Sequence, residues 1–284
     1  MSDIEESLNQ LTLPASKSEA PSVYAFSLHK SGSTLLFNML ARLAPYAGQP
    51  YFSLQDQLFS QGIQHNPSTA KLALPNNFFQ PKGYLFGGFR FYLDLYNIPN
   101  IQEHKKILLI RHPLDVLVST YFSEVYSHKA PKKGALVQIW QKKREHAAKQ
   151  SLESFVMDEY KPLLIKILSY KNMLNQPNFK LYRYEDIIYS KKDFLRDIVR
   201  FYEWNIADDV LTKIANQFDK FPSKEKKNDH VRQVHPGNYK KHLSYETISA
   251  LENEFEAILY AFGYKVDPKI AFQRLNELQN QELK

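Results

Sequence analysis

"YAFSLHKSGSTLLFNML", residues 24–40, sets a short polar loop between two apolar runs of different rhythm. The first lies within "SVYAFSL" (22–28) and suits a strand buried on both faces. The second, "STLLFNMLARLA" (33–44), repeats its apolar residues at helical intervals. A loop that leaves a strand and opens a helix presents free backbone N–H groups and the positive end of the helix dipole, so it suits an anion. Gly32 permits close approach, Ser33 and Thr34 add hydroxyls, and Lys30 adds a mobile point charge. The order is not that of a triphosphate loop, which ends in glycine, lysine, then Ser or Thr. Here Lys30 comes first, ahead of Ser31 and Gly32. Taken alone, the stretch is also consistent with a polar turn carrying an exposed lysine.

The rest of the chain supplies the partners such a unit needs. "AGQPYFS" (47–53) reads as a second short strand, and "KKILLI" (105–110) as a central parallel strand. The latter runs through "RHP" into "LDVLVSTYFSEVY" (114–126), with Pro113 suited to a first helical position. "FKLYRYED" (179–186) alternates like a strand, and "DFLRDIVRFYEW" (193–204) is an amphipathic helix. Strands alternating with helices predict an α/β fold, a three-layer sandwich around a mostly parallel sheet. A helical region over 134–175 is expected to form a cap or insertion between the halves of that sheet, with bounds of about 129–175. The last helix is expected over 244–264, with Ser244 as its N-cap and Gly263 closing it. Residues 1–21 read as a flexible, acidic and polar arm, leaving 22–284 as a single domain.

Composition narrows the chemistry. The chain has 284 residues, 43% of them hydrophobic and 14% aromatic, which is globular rather than disordered. With no cysteine it has neither disulfides nor thiolate metal ligands. No apolar run approaches the roughly 20 residues that span a bilayer, and no secretory signal opens the chain, so stable membrane insertion is not expected and a cytoplasmic location is. A net charge of +7 favours anionic ligands. The basic residues are spread along the chain and no nucleic-acid motif accompanies them, so no nucleic acid is expected.

Two further stretches carry chemistry. "LIRHPLDVLVSTYFS" (109–123) puts Arg111 at a strand's carboxyl end and Ser119 about two turns into the next helix (roughly 3.6 residues per turn). Together they can grip one terminal phosphate from two sides. The strand that would carry a Mg²⁺-binding acid in an ATPase ends instead in Arg111, which removes the ATP reading. "VRQVHPGNYKKHLS" (231–244) offers Arg232, Gly237, Tyr239 and Lys240 after the charged loop 219–230.

These pieces resemble the sulfotransferase family that uses 3′-phosphoadenosine 5′-phosphosulfate (PAPS), over roughly residues 22–264. "HKSGSTLL" is similar to its 5′-phosphosulfate loop, "IRHPLDVLVSTYFS" to its 3′-phosphate motif, "YRYEDI" (182–187) to its YED strand end, and "RQVHPGNYKKHLS" to its Arg-Lys-Gly segment and the Gly-Asp-Trp-Lys that follows. The resemblance implies the P-loop-like sulfotransferase fold, PAPS as cofactor with PAP as product, and no metal. It implies Lys30 at the bridging oxygen and Ser31, Gly32, Ser33 and Thr34 at the 5′-phosphate. Arg111, Ser119 and Arg232 fall at the 3′-phosphate, Tyr184 near the adenine, and Gly237 in the last motif. Departures are His29 for a proline, Leu35 for the aromatic closing the first motif, Gln233-Val234 for Lys-Gly, and no histidine in "GGFRFYLDL" (87–95), where the cytosolic members carry their base. Arg90 takes the place of that segment's lysine. Asp56 in "YFSLQDQLF" is the leading candidate base, with Asp94 and His65 as the others. A relic of the fold that binds nucleotides or polyanions without catalysis stays open as the alternative. The acceptor is expected to be a small molecule, lipid or glycan. The aromatics of "FFQPKGYLFGGFRFYLDLY" (78–96) suit a ring-bearing or lipid-like one; the lysines of "KAPKKG" (129–134) and "QKKREH" (141–146) suit an acidic glycan.

Overall fold

The structure, a computed structural model, describes residues 11–60, 74, 78–91, 93–127, 136–222 and 233–265. The apolar runs become the inner strands of a five-stranded, all-parallel sheet: β1 (Val23–Ser27), β2 (Tyr51–Ser53), β3 (Leu85–Phe89), β4 (Lys106–Ile110) and β5 (Phe179–Arg183), in the order β2-β3-β1-β4-β5. Period-two alternation splits each inner strand between two cores. Tyr24, Phe26, Phe86, Leu108 and Ile110 face one side, and Val23, Ala25, Leu85, Ile107 and Leu109 the other. Burial on both faces explains why these strands read as unbroken apolar runs. At the amino end of β4, Lys106 is fully buried, and its ammonium donates to the carbonyls of Gln102, His104 and Pro177 at 3.4, 3.1 and 3.0 Å.

Helices cover both faces. α1 (Ser33–Leu43) lies on the Ala25 side with the later α7 (Lys191–Phe201) and α8 (Asp208–Phe218), whereas Leu54 and Leu58 of α2 (Leu54–Ser60) and the buried residues of α3 (Pro113–Phe122) join the opposite core. On the Phe26 side lie α3, α5 (Leu152–Leu168) and α9 (Tyr245–Ala261), with Ala147 of α4 (Leu136–Ala148) joining them; α6 (Tyr184–Ile187) is a single turn after β5. Pro113 opens α3, Ser244 Oγ accepts from the Thr247 N–H at 3.2 Å, and Gly263 stands at φ 76°, as the sequence predicts.

Three expectations take a more definite form. The 134–175 region, expected as a cap or insertion, does lie between β4 and β5 in the chain, and Phe155, Val156, Leu163 and Ile167 of α5 are buried in the core on the Phe26 face. Residues 11–21, expected within a flexible arm, are held in place. Leu11 is buried, the Tyr84 hydroxyl donates to the Pro14 carbonyl at 2.9 Å, and Ser16 Oγ donates to the Gly83 carbonyl at 2.8 Å. Of the aromatics of 78–96, expected to suit an acceptor, Phe78, Phe79, Phe86, Phe89 and Tyr96 are instead buried among one another.

The sheet sets where a ligand can enter. β1 and β4 are neighbours, yet the helix that follows β1 packs on one face and the helix that follows β4 packs on the other. Their loops part at the carboxyl edge and leave a crevice there, the usual ligand position in open parallel sheets.

Candidate active site

Two stretches meet across this crevice. From β1 the chain runs through His29 and Lys30 into α1. Lys30 has φ 60° and Gly32 φ 86°, a turn that leaves Gly32 as the residue before the helix with no side-chain cap. Ser31 is fully buried and its Oγ has no hydrogen-bond partner; Ser33 is buried and Thr34 exposed. From β4 the chain reaches Arg111, only 7% exposed, whose guanidinium donates to Asp115 Oδ2 at 3.2 Å while its Nε stays unpartnered. Ser119 is half-buried on the second turn of α3. Unsatisfied buried donors cost about 1–3 kcal/mol each unless something completes them. A buried hydroxyl and a buried guanidinium, both incomplete at one crevice, fit an anionic group with several acceptor oxygens.

Tyr184, at the carboxyl end of β5, joins the two stretches. A Cβ at Gly32 would fall 2.7 Å from Tyr184 Cδ2, and the Arg111 guanidinium lies 4.7 Å from the centre of the same ring. The Tyr184 hydroxyl donates to the Val234 carbonyl at 2.8 Å, and burial raises its pKa to about 12, so the phenol stays neutral. The last motif is fastened from the other side. Asp115 Oδ2 accepts from the Gly237 N–H at 2.8 Å and Oδ1 from the Tyr239 N–H at 3.0 Å. Tyr239 stacks on His112 with ring centres 4.8 Å apart, and Glu185 accepts from the His112 N–H at 2.8 Å and from the Tyr264 hydroxyl at 3.0 Å. Burial, the largest influence, lowers the His112 pKa to about 4.

The acidic candidates lie elsewhere. Asp56 is at the start of α2, beyond β2, and both its oxygens are engaged: Oδ2 by the Ser53 hydroxyl at 2.6 Å and Oδ1 by Arg90 at 2.8 Å. Asp94 is exposed on a short turn, Leu93–Leu95. His65 and Arg232 lie outside the described residues. Among the described residues, no group of three or more His, Asp or Glu is placed to hold a metal ion.

Two features of the site escape a reading of the sequence. One is Asp115, which looks like an ordinary acid in a first helical turn but ties two motifs together. The other is a contact between helix layers: Lys166 of α5 donates to His29 Nδ1 at 3.1 Å, and His29 Nε2 lies 3.4 Å from Thr120 Oγ1. Burial, ahead of the charge on Lys143, lowers the Lys166 pKa to about 8. Only the substitution of His29 for the usual proline marked the place.

A sequence profile described as the sulfotransferase domain matches residues 94–263. That stretch includes Arg111, Ser119, Tyr184 and Gly237. The 29–34 loop precedes it and is attached to it through the Gly32–Tyr184 contact. No curated protein matches the chain in sequence. Among solved structures, a mouse sulfotransferase complexed with PAP is 16% identical, with 91% of this chain and 90% of that one covered and a TM-score of 0.57. Retinol dehydratase, in complex with androsterone and inactive cofactor PAP, is 13% identical over 94% of this chain and 88% of that one, with a TM-score of 0.50. At such identities the likeness speaks for the fold, whereas the profile spans more than half of the 284 residues; the chain belongs to the sulfotransferase domain family.

Proposed function

We propose that the protein transfers a sulfuryl group from PAPS to a hydroxyl or amine of a small-molecule acceptor by in-line displacement. The observation that carries this reading is the single ring of Tyr184 packed against both Gly32 and Arg111, so the loop read as the 5′ side and the arginine read as the 3′ side meet at one residue. Two phosphate-bearing positions on one nucleoside distinguish PAPS from ATP. The unpartnered Ser31 Oγ and the free backbone N–H groups at the start of α1 hold the 5′-phosphate. Arg111, with its Nε available, and Ser119 hold the 3′-phosphate, and Arg232 completes that contact. Tyr184 and Gly237 shape the adenine side. Lys30 faces the bridging oxygen and stabilises the negative charge that develops on the leaving phosphate. A sulfuryl group carries less charge than a phosphoryl group, so one or two cationic side chains with helix-end amides suffice for it.

The fold relative that holds androsterone beside PAP supports an acceptor of small-molecule size. No helix among the described residues is long and apolar enough to cross a membrane. Thermal denaturation tests the donor assignment. PAP without Mg²⁺ should raise the midpoint and Mg-ATP should not; the reverse ranking would overturn it. Incubation with ³⁵S-labelled PAPS and fractionated cell extract then tests the transfer, with a labelled acceptor expected in a polar or a lipid fraction.

A further inference from the structure

The transfer described above needs a group that accepts the acceptor's proton, and Asp56 is poorly placed for it because Ser53 and Arg90 occupy both its oxygens. Another carboxylate lies on the helix that carries Ser119. α3 ends at Phe122 and continues as one wider π turn, Ser123–Ser127, a local insertion that redirects side chains and recurs at functional sites. Glu124 sits in this turn, half-buried. Its backbone carbonyl accepts from Arg144 Nε at 3.0 Å, but its carboxylate makes no hydrogen bond or ion pair among the described residues.

Groups from three directions act on that carboxyl. Burial raises its pKa most; Lys143 and His146 of α4 and Lys30 of the loop lower it, and Glu159 of α5 raises it. Lys166 belongs to the same cluster, since Lys143 and Glu159 act on it as well. Glu124 therefore shares an electrostatic environment with the one lysine assigned to the leaving oxygen. A carboxylate without partners and partly withdrawn from water is a better proton acceptor than one fixed in an ion pair.

We propose that Glu124 is the general base of the reaction. This rests on the sulfotransfer reading. The acceptor oxygen forms its bond to sulfur, and the bond from sulfur to the 5′-phosphate breaks. Its electron pair goes to the phosphate oxygen that Lys30 faces, and the acceptor's proton passes to the Glu124 carboxylate.

The test uses the full chain with Glu124→Gln, Asp56→Asn and Lys30→Ala, each first checked for an unchanged melting profile. Turnover is read as ³⁵S transferred from labelled PAPS to 2-naphthol and to water between pH 5 and 9, and PAP affinity is measured alongside. Glu124→Gln should lower turnover by about 10²- to 10⁴-fold at unchanged PAP affinity and should remove the acidic limb of the pH profile. Carbon-13 NMR of the glutamate carboxyls gives a readout independent of turnover. Glu124 should titrate above the ordinary glutamate range, and higher still in Lys30→Ala, where a positive neighbour is gone. The proposal is overturned if Glu124→Gln keeps its rate and its acidic limb, if the loss follows Asp56→Asn instead, or if Lys30→Ala leaves the Glu124 titration unmoved. A wild-type chain that fails to bind PAP, or binds it and transfers nothing, overturns the donor reading as well; transfer that survives Glu124→Gln overturns this inference alone.

Discussion

Asp115 Oδ2 accepts hydrogen bonds from both the Arg111 guanidinium and the Gly237 backbone N–H, at 3.2 and 2.8 Å, so one buried carboxylate ties Arg111 to a glycine 122 positions beyond the aspartate itself. Its side chain is fully buried, and Arg111 is 7% exposed. Removing one member of a buried pair leaves the other charge uncompensated, which costs more than the pair's net worth. Asp115→Ala should therefore lose about 3–5 kcal/mol in urea denaturation. Asp115→Asn, which keeps an acceptor oxygen for one backbone N–H, should lose less. A loss below about 1 kcal/mol for the alanine variant would show that the tie is not structural.

Gly32→Ala tests the close approach of the loop to β5. The new Cβ would meet Tyr184 at 2.7 Å in a backbone with φ 86°, so both strain and collision oppose it. We expect a loss of about 1–3 kcal/mol and a weaker response to PAP in thermal denaturation. Normal PAP binding by this variant would separate the loop from the nucleotide site.

Lys30→Ala separates binding from chemistry. A charge needed mainly as the leaving oxygen becomes negative affects the transition state more than the bound product. Transfer from PAPS should be abolished while part of the PAP affinity is retained, as measured by isothermal titration and ³⁵S turnover. Unchanged turnover would be incompatible with the assigned role.

His112 gives the fold a pH dependence. Its folded pKa, lowered from 6.5 to about 4 chiefly by burial, means that the unfolded chain takes up a proton that the folded chain does not. The associated stability is present above pH 6.5 and is lost as the pH falls from there toward 4. The loss over that window should be about 1–3 kcal/mol, read as the shift in urea midpoint between pH 7.5 and 4.5. In His112→Asn that part of the shift should disappear.

Much of the fold could be read from the chain because β1, β4 and α1 carry strong local signals. β3 did not, because "LFGGF" looks broken by its glycines. Those glycines answer a distant requirement: a Cβ at Gly87 would lie 2.5 Å from the Tyr51 ring, and one at Gly88 2.0 Å from Ser53 Oγ. Nothing in a local window reports such packing between β2 and β3. The helices of 134–175 were recognisable as helices, but the face that Phe155 and Ile167 bury is fixed by the sheet beneath them. Residue types singled out Lys30, Arg111 and Tyr184, and the structure brings Arg111 and Gly32 against the same Tyr184 ring. The bonds of Asp115 and the π turn that carries Glu124 depend on backbone geometry far from either residue in sequence.

Because one aromatic ring lies against both Gly32 and Arg111, the two ends of the proposed nucleotide site are expected to be energetically coupled. A displacement of Tyr184 caused at the loop reaches the arginine through a rigid plane. Substitutions on the two sides should thus give a double-mutant coupling of about 0.5–3 kcal/mol in PAP affinity. Nucleotides carrying only one of the two phosphates would then bind with a deficit larger than the missing contacts alone require, and the protein would discriminate against AMP by cooperativity as well as by charge.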